Sequence, residues 1–226
     1  MKIVISESQY KRLIESEEEQ KVLQIPSLKF FGDNWYILQE YLKEIGNPPY
    51  SISGDLYLRG TTIKSLGNLQ SVDGYLYLEE TPIKSLGNLQ SVGGYLNLRG
   101  TPIKSLGNLV SVGGHLILDD TSIKSLGNLI SVGEDLDLRH SPIESLENLT
   151  SVGGDLDLAY TSIESLGNLQ SVGGFLDLQG TYIESLGNLQ SVGGDLYLYG
   201  TPISEKYSEE EIRQMVNVDE IIYLKL

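Results

Sequence analysis

The chain has 226 residues, 16 Lys and Arg against 31 Asp and Glu, a formal net charge of −15 and no cysteine. Disulfides and thiolate metal sites are therefore excluded, and so acidic a surface repels phosphate backbones and anionic lipid, which sets nucleic acid and membrane aside as partners. The opening MKIVISESQYKR lacks the apolar run of about 7–15 residues of a signal peptide, and no stretch reaches the ~18 consecutive apolar residues of a membrane span, so a cytoplasmic or virion-associated protein is expected.

Residues 1–53 read as a helical N-terminal cap. Ser6-x-x-Gln9 is a capping box that opens a short charged helix, with Tyr10, Leu13 and Ile14 facing inward. A second helix, around Asn34 to Ile45, puts Ile37, Leu38, Tyr41, Leu42 and Ile45 on one face and stops at Gly46. Trp35, the single tryptophan, is expected in the packing of this cap rather than at a binding surface.

Residues 54–203 hold eight near-copies of one 20-residue unit, the last truncated. A strict period of this kind marks a solenoid, in which each unit covers its neighbour's core. In the unit at 95–112, Leu96 and Leu98 alternate with Tyr95, Asn97 and Arg99, the period-two pattern of a strand with one face buried. From Ile103 the apolar residues fall on every third position (Ile103, Leu106, Leu109, Val112), which suits 3₁₀ or extended geometry. Gly113-Gly114 then reverses the chain into the next strand. Each coil thus directs six aliphatic side chains inward. After the repeats, residues 204–226 read as a C-terminal cap: Ser208-x-x-Glu211 opens a helix through Val216, and Ile221 to Leu226 has a strand pattern.

The segment Leu96-Asn97-Leu98-Arg99-Gly100-Thr101-Pro102-Ile103 resembles the LxLxxNxL core of leucine-rich repeat proteins, and LGNLxSV is similar to that family's return segment. The resemblance implies a β-rich α/β solenoid: a right-handed coil with a parallel concave sheet, a 3₁₀ or extended convex side and helical caps at both ends. The chain departs from the family in carrying Thr where the family has Asn: Thr61, Thr81, Thr101, Thr121, Thr161, Thr181 and Thr201, with Ser141 once. A Thr ladder is expected there. A separate column, Asn68 through Asn188, is expected to be buried and stacked on the backbone of adjacent loops. The layout of SESQYKRL, NPPYSISGDL and YSEEEIRQMVNV also resembles short-repeat proteins encoded in tailed-phage genomes.

The inward columns hardly change between copies, whereas three outward columns of the Leu-x-Leu strand do. Tyr57, Tyr75, Tyr77 and Tyr95 form an aromatic zone, followed by Asn97, His115 and Ile117. Asp135, Asp137, Asp155, Asp157, Asp177 and Asp195 form an acidic one; Arg59, Arg99 and Arg139 punctuate the face, and Phe175, Tyr197 and Tyr199 complete it. This mixture of rigid amphipathic and polar residues is that of a recognition surface. The function expected is therefore non-enzymatic: a monomeric scaffold that needs no cofactor and binds a protein or glycan, basic or cationic in part, through the concave face. The alternative is a structural or accessory virion solenoid, with divalent cations at the Asp columns. Those columns lie on strands 20 residues apart, unlike the nine-residue turn repeats of calcium-binding β-rolls. Catalysis is disfavoured because His115 and His140 fall at opposite ends of their strands and no nucleophile column accompanies them. Ice binding would need regular neighbours beside the Thr column, and Thr62, Pro82, Ser122 and Tyr182 are not regular.

Overall fold

A computed structural model describes residues 22–225; the helix expected at Ser6 to Ile14 lies outside them. The described chain is a parallel β-solenoid carrying two parallel sheets. One sheet, of nine strands, is built from the Leu-x-Leu segments, from Leu56–Tyr57 to Ile222–Tyr223. The other has ten strands, runs from Leu23–Ile25 to Asn217–Val218, and contains the Ser-Val segments such as Ser111–Val112. That second sheet adds regular strand pairing where the spacing predicts only a 3₁₀ or extended return. Every Ser-Val pair lies in register with the next, Ser111 beside Ser131 and Val112 beside Val132. The three-residue spacing of Ile103, Leu106 and Leu109 is real, but it reflects a coil that turns corners between flat sides. Along the side between the two sheets, strand pairing is reduced to isolated parallel bridges at Ser105–Ser125 and Ser145–Ser165.

The core follows the sequence pattern closely. Leu96, Leu98, Ile103, Leu106 and Leu109 are all at 0% exposure and Val112 at 1%. Each buried leucine, isolated in water, would forfeit about 1.5–3 kcal/mol of burial free energy, so the fold exists only by stacking. The backbone closes the stack: Leu96 N donates to His115 O at 2.9 Å and Leu98 N to Ile117 O at 3.0 Å.

Corners fix which residues are tolerated. At 93, 113, 133, 153, 173 and 193 each glycine lies directly on the preceding coil, and a Cβ at Gly113 would collide with the Gly93 carbonyl. The Thr column behaves differently from a ladder. Each threonine hydroxyl donates within its own coil to the carbonyl three residues back, as from Thr101 to Leu98 O at 2.7 Å, and so ties down the turn after the strand. The Asn column is not buried, contrary to expectation: Asn88, Asn108, Asn128, Asn148, Asn168 and Asn188 are exposed. Even so, several reach the preceding coil, Asn108 Nδ2 donating to Gly87 O at 3.1 Å and Asn148 Nδ2 to Gly127 O at 3.0 Å.

Before the repeats lie a 3₁₀ turn at Leu28–Phe31 and helix α1, Trp35–Glu44, whose first turn is capped by Asn34 Oδ1. Trp35, Leu38 and Leu42 are buried and Ile37 and Tyr41 partly so, but Ile45 is 37% exposed, because the helix ends before it and leaves it at the C-cap. The Leu23–Ile25 strand pairs with Tyr50–Ile52 and extends the Ser-Val sheet. After the repeats, α2 (Pro202–Lys206) and α3 (Glu209–Met215) follow, α3 with the expected capping box between Ser208 and Glu211. The chain then rejoins both sheets, Val218 beside Val192 and Ile222 beside Leu196. No helix among the described residues is long and apolar enough to cross a membrane.

Candidate binding face of the Leu-x-Leu sheet

The outward side chains of this sheet stand in three columns, and each column has its own local chemistry. The column before the first Leu turns out to hold the corners together. Asp55 Oδ1 accepts from Tyr75 N at 2.9 Å, Asp135 Oδ1 from Asp155 N at 2.8 Å, Asp155 Oδ1 from Phe175 N at 2.9 Å, and Asp195 Oδ1 from Ile221 N at 3.0 Å. These carboxylates serve the backbone of the coil above, which is why glycine must follow: a Cβ at Gly154 or Gly174 would strike the Asp135 or Asp155 carboxylate.

In the middle column, Asn97 Oδ1 accepts from Arg99 N at 3.0 Å, Asp157 Oδ1 from Ala159 N at 3.1 Å and Asp177 Oδ1 from Gln179 N at 2.8 Å. Each of these side chains thus accepts from the backbone two residues on and holds the turn that follows its strand. Asp137, Asp157 and Asp177 lie side by side in register. Burial pushes the carboxyls of Asp157 and Asp177 above the ordinary carboxylate value, against the lowering effect of those backbone N–H groups. Arg139 answers the repulsion, its guanidinium 2.6 Å from Asp137 and 3.3 Å from Asp157.

The column after the second Leu alternates in sign over five coils: Arg59, Glu79, Arg99, Asp119, Arg139. Arg59 lies 3.7 Å from Glu79 and Arg99 3.1 Å from Asp119. Glu79 Oε2 and Asp119 Oδ1 are buried without hydrogen-bond partners among the described residues, and burial raises the Asp119 carboxyl. Glu79 and Asp119 are absent from the sequence-derived site. The signal that would have included them is the sign alternation at a 20-residue spacing.

Aromatic rings gather at both ends of the face. Tyr57 and Tyr77 stack with centroids 5.0 Å apart, Tyr75 meets Tyr77 edge-on at 6.3 Å, Tyr95 lies 5.3 Å from Tyr77, and His115 lies 6.1 Å from Tyr95. At the far end Tyr197 stacks on Tyr223 at 4.7 Å, with Phe175 and Tyr199 edge-on or tilted around it. Tyr223 escaped the sequence reading because α2 and α3 shift its spacing from 20 to 26 residues, from Tyr197. Hydrogen bonds to Asp55 and Asp195 raise the Tyr57 and Tyr197 phenols, the latter to about 12. Ile117, flanked by Asn97 and Asp137 in the same column, is half-buried between the two zones.

A shallow groove of about 590 Å³ runs along the corner beside the first aromatic group, lined by Tyr75, Tyr77, Tyr95, His115, Glu134 and the glycines at 93, 94, 113 and 114. His115 Nε2 is 2.8 Å from Glu134 Oε2, and Nδ1 is 3.0 Å from Asp135 Oδ2. The backbone N–H of Asp135 also points at Nδ1, at 3.3 Å. His115 and Asp135 thus meet as a pair. His140 is elsewhere, stacked on Tyr160 with centroids 6.0 Å apart. Among the described residues, no three His, Asp or Glu side chains converge as a metal-holding group; most of the candidate aspartates spend an oxygen on backbone N–H groups instead. No family profile, curated protein or solved structure matches the chain.

Proposed function

We propose that the chain is a non-enzymatic recognition scaffold of the leucine-rich repeat kind, which binds a macromolecular partner, protein or glycan, through the outer face of the Leu-x-Leu sheet. The observation that carries this reading is the contrast between columns. The buried positions repeat the same aliphatic residues from coil to coil, whereas the outward ones change identity and leave Tyr57 63% and Tyr75 46% exposed. Exposed tyrosine on a flat, rigid sheet supplies large contact area at little conformational cost. The test is partner capture by immobilised protein, comparing the natural chain with a Tyr57→Ala/Tyr75→Ala variant and with Ile130→Ser, an exposed position outside this face. Capture is expected to fail only in the tyrosine variant.

A second reading is a stiff structural solenoid, and the stacking of Tyr57 on Tyr77 and Tyr197 on Tyr223 favours it, since such ladders stabilise neighbouring coils. On that reading the tyrosine variant loses thermal stability and captures as well as the natural chain.

A further inference from the structure

Glycine occupies the second corner position at 54, 74, 94, 114, 154, 174 and 194, and the sole interruption within the repeats is Glu134. Its carboxylate stands at the end of the groove beside the first aromatic group, 2.8 Å from the His115 imidazole. Among the described residues, no Lys or Arg lines that groove. Its rings are turned against one another, Tyr75 at 84° to Tyr77 and Tyr77 at 49° to Tyr95, so that ring faces and edges point in several directions.

We propose that this groove binds a cationic side chain, the guanidinium or ammonium of an arginine or lysine in a basic peptide segment, between the Tyr75 and Tyr95 rings and the Glu134 carboxylate. Ring faces attract cations through their quadrupole, and a carboxylate at the groove's end gives the charge a hydrogen-bonding partner. The whole chain, at −15, steers such a segment inward from solution. A neutral sugar would find rings too, but it would gain nothing from the charge that replaces the glycine. The inference deepens the recognition reading and rests on it.

The substitution Glu134→Gly suits the test, because it restores the residue that the other corners carry, and the fold is expected to stay intact. The ligands are a capped pentapeptide with two arginines and its citrulline counterpart, followed by isothermal titration. Glu164→Gln, an exposed carboxylate on another side of the coil, removes the same charge as a control. The expected result is a weakening of roughly tenfold for Glu134→Gly, little change for Glu164→Gln, and little binding of the citrulline peptide. Equal effects of both substitutions, no effect of either, or binding of a neutral oligosaccharide in place of the arginine peptide would overturn the assignment. If Glu134→Gly leaves partner capture intact while Tyr57→Ala/Tyr75→Ala abolishes it, the cation site falls and the recognition face stands. Loss of neither removes both.

Discussion

At position 141 the column that carries Thr in the other seven coils carries Ser, and the Ser141 hydroxyl is buried without a hydrogen-bond partner among the described residues. In the neighbouring coil Thr161 Oγ1 donates to Leu158 O at 2.8 Å, its methyl group holding the rotamer. Ser141→Thr should therefore raise unfolding free energy by about 1 kcal/mol, from one buried methyl and one recovered hydrogen bond, as read by denaturant titration. The central aspartates make the opposite kind of case. Burial holds Asp119, Asp157 and Asp177 above their ordinary 3.8, so the folded chain keeps protons that the unfolded chain has released. The stability these groups confer is fully present below that ordinary value and is lost as pH rises through the raised ones. Asp177→Asn should add about 0.5–1 kcal/mol at neutral pH and flatten this pH dependence. The amide keeps the acceptor for Gln179 N, as Asn97 already does for Arg99 N.

A single coil is set by its corners more than by its strands, which are two residues long on the Leu-x-Leu side. The corner at Gly113 packs on Gly93 backbone, whereas Gly100, at φ 66°, has nothing within 4 Å of where a Cβ would stand. The position equivalent to Gly100 already accepts Glu80, Asp120, His140 and Tyr160, each at positive φ. Gly100→Ala should cost only the left-handed strain, about 1–2 kcal/mol, while Gly113→Ala should cost more and disturb the Gly93 coil as well. Thermal melts of the two variants, with amide exchange across residues 91–115, separate strain from collision.

The whole molecule is a stack in which stability passes from coil to coil. The C-terminal segment matters here, because Asn217–Val218 and Ile222–Tyr223 add a further strand to each sheet after the α2–α3 excursion. Arg213 ties α3 to this addition, donating to Val218 O and Glu220 O, each at 2.8 Å. Removing residues 204–226 would strip the cover from Leu196 and Leu198 and leave the strand edges at Ser191–Val192 and Leu196–Tyr197 open. The truncated chain is expected to melt at lower temperature and to aggregate through those edges; size-exclusion chromatography of the two forms reads the outcome.

The period, the inward aliphatic columns and the outward face were all present in the sequence, because a 20-residue repeat puts equivalent residues on top of one another whatever the shape of the coil. Leu96, Leu98 and Ile103 could be assigned to the core from spacing alone, and Tyr57 and Tyr77 placed opposite them. Spacing could not say that Ser111–Val112 forms a sheet of its own, since a strand of two residues is too short to show a period and is made by pairing with its neighbours. Nor could it assign the aspartates of the first outward column to the backbone of the coil above, or bring Tyr223 onto Tyr197 across a helical insertion. Those features depend on which groups meet between coils, and only the stacked chain brings them within hydrogen-bonding and packing distance.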